Sequence, residues 1–178
     1  MIITLAEAHE INRTLSKEDI TGLEIAIREL TNNNFQNTRV RFSVKEIMDP
    51  DTIVLNQLPK GLRTGSRIEL NNSDYNEELH TIHEIQGNVL KVSSGGFLDE
   101  TKSGMIVTLV NYPQDVKNGV KKLIEYDMKT EKNIGVKSRS LSRVSETYFD
   151  VTSGENINGY PTSLFSFIMK YRKFRWGT

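Results

Sequence analysis

The sequence has no cysteine and no long apolar run. Without thiols, disulfide bonds, thiolate zinc sites, iron–sulfur clusters and cysteine nucleophiles are excluded. No stretch approaches the roughly 20 apolar residues that a membrane span requires. The opening residues, MIITLAEAHE, lack the basic start and long apolar core of a signal peptide. We therefore expect a protein that stays soluble where it is made.

Net charge is also absent, but the charged residues are unevenly distributed. The 178 residues include 23 Lys/Arg and 23 Asp/Glu. Residues 1–112 hold 11 basic and 16 acidic side chains, whereas residues 113–178 hold 12 and 7. This asymmetry favours head-to-tail association between copies, or contact of the basic part with an acidic partner. A solvated distribution without function fits it equally well.

Helical patterns occur at both ends of the chain. Thr4 with Glu7, and Ser16 with Asp19, have the spacing of capping boxes. They predict a short helix at TLAEAHEI and an amphipathic helix that ends near residues 31–34. Two further helices are predicted after prolines, which favour helix starts: Pro113 to Met128, and one from Thr162–Ser163 onwards.

Between the helical parts, from about residue 37 to 110, apolar and polar residues alternate as they do in β-strands. The Gly-Asn pair in HEIQGNVLKV is typical of a hairpin turn. The segment SLSRVSETYFDV, residues 140–151, predicts an extended or hairpin segment. Candidate strands cover residues 38–46, 51–55, 66–70, 79–85, 88–93 and 105–110.

These patterns predict an α+β fold. A helical scaffold of about three to four helices would carry an inserted small antiparallel β-barrel or sandwich, with a C-terminal hairpin and helix. The predicted parts are residues 1–35, the insertion 36–110, and residues 111–178. Because each helical part is too small to bury its apolar side alone, we expect the two to share one core.

No motif in the chain predicts catalysis or metal binding. His80 and His83 lie near several glutamates, but residues three apart in a strand point to opposite faces. Asp49–Pro50–Asp51 could be a carboxylate pair for acid–base chemistry, yet it is typical of a turn. The short SGG segment at 94–96 cannot cradle a phosphate by itself. We expect no catalytic residue, no metal and no cofactor.

The C-terminal stretch KYRKFRW concentrates four cationic and three aromatic residues in seven positions. Arginine with aromatics is typical of protein–protein contacts, which favours an anchor on another subunit. Two other interpretations are that Phe174 and Trp176 cover the core of their own domain, or that the stretch binds nucleic acid by stacking and phosphate contacts. The candidate interface residues are Tyr171, Arg172, Lys173, Phe174, Arg175 and Trp176.

The order of elements in the C-terminal part also carries a family resemblance. YPQDVKNGVKKLIEYDM, GVKSRSLSRVSETYFDV and GYPTSLFSFIMKYRKFRW together resemble the C-terminal half of head–tail connector proteins, also called adaptor or head-completion proteins, of long-tailed bacteriophages. The matching features are a proline-started helix, a Gly-Lys-Ser segment, an S-x-T-Y stretch and a basic aromatic end. MIITLAEA is similar to the family's opening. Residues 1–34 and 111–178 are covered, and the β insertion is a departure.

The resemblance implies a structural role in the virion neck and no enzymatic activity. About a dozen copies would form a ring under the portal, extend the DNA channel and receive the tail or a stopper protein. The C-terminal segment would reach the portal. Lys117, Lys121 and Lys122 could lie near passing DNA, although an ordinary solvated helix face is the favoured explanation for them. A nucleic-acid-binding module is the alternative function, and a small hydrolase built on the β insertion is a third.

Overall fold

The chain forms two compact units. A computed structural model describes residues 1–93, 96–130, 138–141, 144–147, 156–157 and 160–174. One unit comprises residues 1–33 with 112–178, and the other comprises residues 34–111, which include the predicted insertion. The prediction of an α+β chain with a small antiparallel barrel is confirmed. Within the described residues, no helix has the length and apolar character needed to cross a membrane.

Within the described residues, the helical unit contains three α-helices and a 3₁₀ helix: α1 (Leu5–His9), α2 (Lys17–Thr31), α3 (Gln114–Thr130) and the 3₁₀ helix (Thr162–Tyr171). Both predicted capping boxes are present. The Thr4 hydroxyl accepts from the Glu7 N–H at 3.2 Å, while the Glu7 carboxylate accepts from the Thr4 N–H at 2.9 Å. At the other end of α2, Asn32 adopts a left-handed conformation with φ 47°, which stops the helix.

The core of the helical unit is formed by the apolar sides of these helices. Ile20 and Ile27 of α2 are fully buried, as are Val116, Val120, Leu123 and Ile124 of α3. The 3₁₀ helix contributes Phe165 and Ile168, whose three-residue spacing places both on one side of a 3₁₀ helix.

A glycine inside α3 allows the 3₁₀ helix to pack closely. A Cβ atom at Gly119 would lie 2.4 Å from ring carbons of Phe167. Gly119 is thus the surface on which the aromatic ring rests. The helix-weakening glycine in the sequence therefore has a packing reason.

The part of the chain that the structure describes between α3 and the 3₁₀ helix forms two short strand pairs. Strands β7 (Ser138–Leu141) and β8 (Val144–Thr147) pair antiparallel, and β9 (Asn156–Ile157) pairs with β10 (Tyr160–Pro161). Part of the predicted extended segment, residues 140–151, falls on β7 and β8. Residues 142–143 and 148–151 lie outside the described part of the chain.

The second unit is a closed antiparallel barrel of six strands. The strands are β1 (Gln36–Met48), β2 (Thr52–Leu55), β3 (Arg67–Asn71), β4 (Leu79–Gln86), β5 (Val89–Val92) and β6 (Ile106–Val110). Around the barrel the order is β1-β2-β5-β4-β3-β6, and β6 pairs with β1 to close it. Of the two predicted architectures, barrel and sandwich, the chain adopts the barrel.

The long strand β1 pairs with two neighbours, β6 and β2, in the closed barrel. Its first part pairs with β6 and its second part with β2, and the register shifts between Val44 and Glu46. Such irregularities bend a strand. The shift also changes which residues face inward, so that Ile47 follows Phe42 and Val44 into the core although it breaks their two-residue period.

The predicted turns of the barrel are present. Gly87 has a φ of 59° and forms, with Asn88, the two-residue connection between β4 and β5. Residues 49–51 form the turn between β1 and β2, with a cis peptide bond before Pro50. The Asp49–Pro50–Asp51 stretch is therefore a turn, as the sequence favoured.

Candidate functional site

The C-terminal segment Lys170–Phe174 is attached along its backbone to the end of α2. The Lys173 N–H donates to the Thr31 carbonyl at 2.7 Å. The Asn33 side-chain amide donates to the Tyr171 carbonyl at 3.0 Å, and that of Asn32 to the Phe174 carbonyl at 3.4 Å. Because the last carbonyls of a helix have no partner within the helix, α2 offers a ready acceptor to the segment. The path of the segment is thus defined as far as Phe174.

The beginning of the segment is held on α3 by Asp115. The Tyr171 hydroxyl donates to Asp115 Oδ1 at 2.8 Å, and Lys170 Nζ lies 2.7 Å from Oδ2. The hydrogen bond from Lys170, and then that from Tyr171, lower the pKa of Asp115. Asp115 is in the first turn of α3, where the helix dipole also favours a negative charge. Of the predicted interface residues, Tyr171 is therefore engaged by its own unit.

The next three residues of the segment are exposed. Arg172 and Lys173 extend into solvent, and Phe174 has 90% of its surface exposed. These three residues, with Met169, line a surface groove of about 760 Å³. Its other lining residues are Glu29 and Leu30 of α2 and Asn32, which caps that helix. Arg175 and Trp176 lie outside the described residues. The described tip thus presents an aromatic ring beside two cationic side chains.

No protein-family model and no curated protein matches the chain. What this segment can do follows from its chemistry. Aromatic side chains bury a large apolar surface when they dock, and arginine is enriched with them in protein–protein interfaces, which suits this segment to a contact with another molecule.

The three lysines predicted near DNA differ in their surroundings. Lys121 Nζ lies 2.9 Å from the Glu7 carboxylate of α1, so its charge is already paired. The backbone hydrogen bond from Thr4, and then the hydrogen bond from Lys121, lower the pKa of Glu7 to about 2. Lys117 is half-buried and Lys122 is exposed. Lys122 is thus the most accessible of the three to a phosphate.

The histidines of β4 point to opposite sides of the strand, as their spacing predicted. His80 is buried, with its ring edge-on to Phe97 at a centroid distance of 4.7 Å, whereas His83 is exposed. Burial lowers the pKa of His80 to about 4, so the ring is neutral at pH 7. Within the described residues, no three His, Asp or Glu side chains are grouped as metal ligands.

Sequence reasoning missed Glu100, a buried carboxylate with several hydrogen bonds. It accepts hydrogen bonds from the Ser73 hydroxyl, from the Asp74 N–H at 2.8 Å and from the Asn76 amide at 2.9 Å. Burial acts to raise the pKa of Glu100, but these hydrogen bonds outweigh it and hold the pKa below its usual value. The only signal in the sequence was a glutamate in a loop that also contains two apolar residues, GGFLDE.

Proposed function

We propose that the protein is a structural subunit of a homo-oligomeric ring at the head–tail junction of a long-tailed bacteriophage. The ring would lie between the portal and the tail, extend the DNA channel and complete the head. The resemblance of residues 1–34 and 111–178 to connector proteins supports this role. The segment 170–176 would anchor each copy on another subunit of the neck, and the resemblance points to the portal as one such subunit.

The exposure of Phe174 is the observation that carries the anchor. Burying such a ring is worth about 1.5–3 kcal/mol, and this energy is not gained within the unit because 90% of the side chain is in solvent. The backbone hydrogen bonds to α2 fix the segment before a partner arrives, which reduces the entropy lost on docking.

In a ring, every copy repeats this modest contact. When several copies dock together, each additional contact forms at a high effective concentration, so that weak anchors together hold firmly. The sequence halves of opposite charge, residues 1–112 and 113–178, do not coincide with the two units, because residues 1–33 belong to the helical unit, so their charge gives these contacts no direction.

The experiment replaces the exposed tip in the full-length protein. The variant Arg172→Glu/Lys173→Glu/Phe174→Ser leaves the backbone hydrogen bonds available, and Arg13→Glu/Lys17→Glu/Met128→Ser makes the corresponding changes of charge and polarity at other exposed positions of the same unit. Both are supplied in trans to a phage that lacks the gene. Wild type and the control variant should restore tailed, infectious particles, and the tip variant should yield heads without tails.

Two results would overturn the proposal. One is restoration of infectious particles by the tip variant at wild-type yield, because the anchor would then be dispensable. The other is the absence of the protein from purified particles of the wild-type phage, as judged by mass spectrometry, because the protein would then act outside the virion.

The same exposed side chains favour one alternative, a nucleic-acid-binding module. Arg172 and Lys173 could contact phosphates while Phe174 stacks on a base. Retention of single-stranded or duplex DNA by the isolated protein, with a steep loss of affinity as salt rises and loss in the tip variant, would favour this function. In a ring, passing DNA would meet only non-specific contacts of this kind.

A further inference from the structure

Three segments of the barrel lie side by side at one end. The backbones of Ile47 and Glu100 exchange two hydrogen bonds, of 2.8 and 3.0 Å. Next to them, Leu98 is tied to the loop between β3 and β4, because its N–H donates to Asn76 Oδ1 and its carbonyl accepts from Asn76 Nδ2, both at 2.9 Å. The end of β1, residues 96–100 and residues 72–78 therefore form one continuous surface.

Each segment places an apolar side chain in solvent. Met48 is 41% exposed, Tyr75 69% and Leu98 59%; these three residues are called the end platform below. Within the described residues of the barrel unit, a single further large apolar residue, Leu58, is comparably exposed. It lies at the other end, three residues after Leu55, whose N–H donates to the Asn88 carbonyl. Clustered exposed Tyr, Met and Leu side chains are typical of a surface that another protein covers.

The end platform is held rigidly from beneath. The buried Glu100 carboxylate gathers the loop that carries Tyr75 through its bonds to Ser73, Asp74 and Asn76. The backbone of Asp49 adds a link, since its N–H donates to Asp99 Oδ1 at 2.7 Å. A surface fixed in this way loses little conformational entropy when a partner binds.

The charge around the end platform is negative. Exposed carboxylates surround it in sequence and in space: Asp49, Asp74, Glu77 and Asp99. Lys102 balances one of them through its ion pair with Asp74. A partner that fits must therefore offer apolar side chains accompanied by positive charge.

We propose that the end platform receives the C-terminal segment of a second copy of this chain. That segment has the required chemistry, because Phe174 is exposed beside Arg172 and Lys173. The contact is heterologous, from the C-terminal segment of one copy to the end platform of the next, and repeated contacts of this type form a closed ring when the rotation between neighbours closes, and a filament when it does not. The inference rests on the proposed function in that copies meet in a ring, and it assigns the acceptor to the neighbouring copy instead of the portal.

A peptide titration tests the acceptor directly. A labelled synthetic peptide of residues 168–178 is added to the full-length tip variant, whose own segment lacks the anchor. Fluorescence anisotropy should show saturable binding that weakens with salt. Tyr75→Ser/Leu98→Ser in the same protein should weaken it at least about tenfold, while the matched change Leu58→Ser should not. No saturation up to about 1 mM peptide, or equal loss with Leu58→Ser, would overturn the proposal.

Mixing two defective full-length proteins tests the geometry. The tip variant keeps the end platform, and Tyr75→Ser/Leu98→Ser keeps the C-terminal segment. Each protein alone therefore lacks one of the two surfaces and should sediment as a monomer. Together they have one complementary pair of surfaces and should form a 1:1 dimer but nothing larger. Failure to form the dimer, when the peptide also fails to bind, would reject a contact between the C-terminal segment and the end platform.

The outcomes separate this inference from the proposed function. If the platform variant restores tailed particles and the tip variant does not, the anchor is real and its acceptor is elsewhere, for example on the portal. If the tip variant restores particles, the proposed function itself is wrong. If the peptide binds with the stated pattern while the tip variant remains functional, the platform contact exists without being needed for the neck.

Discussion

The contact between Gly119 and Phe167 gives the most quantitative prediction. In Gly119→Ala the new methyl carbon would lie 2.4 Å from ring carbons of Phe167. Carbon atoms pack at about 3.5–4.0 Å, so the ring or the helix must move by more than about 1 Å. Overpacking of this kind costs about 1–3 kcal/mol, whereas alanine in a helix gains about 1 kcal/mol over glycine. We expect a net loss of stability of about 0–2 kcal/mol.

A second glycine offers a matched control. Gly22 lies inside α2 and is exposed, and a Cβ atom there would have no neighbour within 4 Å. Gly22→Ala should therefore gain about 1 kcal/mol from helix propensity alone. The difference between the two variants, about 1–3 kcal/mol, isolates the clash with the ring. It is measured by urea unfolding followed by circular dichroism at 222 nm.

Removing the aromatic ring of Phe167 should reverse the sign of the stability change that Gly119→Ala causes. In a Phe167→Ala background, the methyl group added by Gly119→Ala no longer clashes with an aromatic ring, so the substitution should stabilise the unit as Gly22→Ala does. If Gly119→Ala stabilises the wild-type protein as much as Gly22→Ala, the 3₁₀ helix does not pack on α3 at this point. The position derived for the C-terminal segment would then be wrong as well.

Two further predictions concern carboxylates whose pKa values are lowered. Because the pKa of Glu100 is lower in the folded barrel, its bonds stabilise the fold above the ordinary pKa of 4.5 and lose this effect as the pH falls through the folded value. Glu100→Gln should lower the free energy of unfolding by about 1–3 kcal/mol at pH 7. The difference in unfolding free energy between variant and wild type, measured by urea unfolding, should shrink below pH 4.5. A difference that does not change with pH would contradict the hydrogen-bond network around Glu100. Glu7 should titrate near pH 2 by NMR. In Lys121→Met the midpoint should rise but stay below 4.5, because the bond from Thr4 remains, and an unchanged midpoint would show that the ion pair does not form.

Part of the fold could be predicted because its signals lie close together in the chain. A capping box needs two residues three apart, as in Thr4 and Glu7, and a tight turn needs one glycine such as Gly87. Alternation identified each barrel strand to within about two residues. Strand periodicity also predicted that His80 and His83 point to opposite faces, and the structure buries His80 and exposes His83.

The candidate site was only partly predictable. The composition of KYRKFRW indicated an anchor, and the exposure of Phe174 is consistent with that hypothesis, which stays a prediction until it is tested. The sequence could not show that Tyr171 is held by Asp115, a residue 56 positions earlier. Nor could it show the end platform, because Met48, Tyr75 and Leu98 come from three separate segments.

What the sequence by itself determined is therefore the order and the approximate positions of the helices, strands and turns, since these depend on neighbours within a few residues. Tertiary structure alone decided that β1 shifts register and turns Ile47 inward, that Gly119 supports Phe167, and that Glu100 gathers a loop 24 to 27 residues away. The physical reason is that each of these contacts joins residues whose proximity is set by the closure of the barrel or by the packing of helices. No local pattern of side chains contains that information.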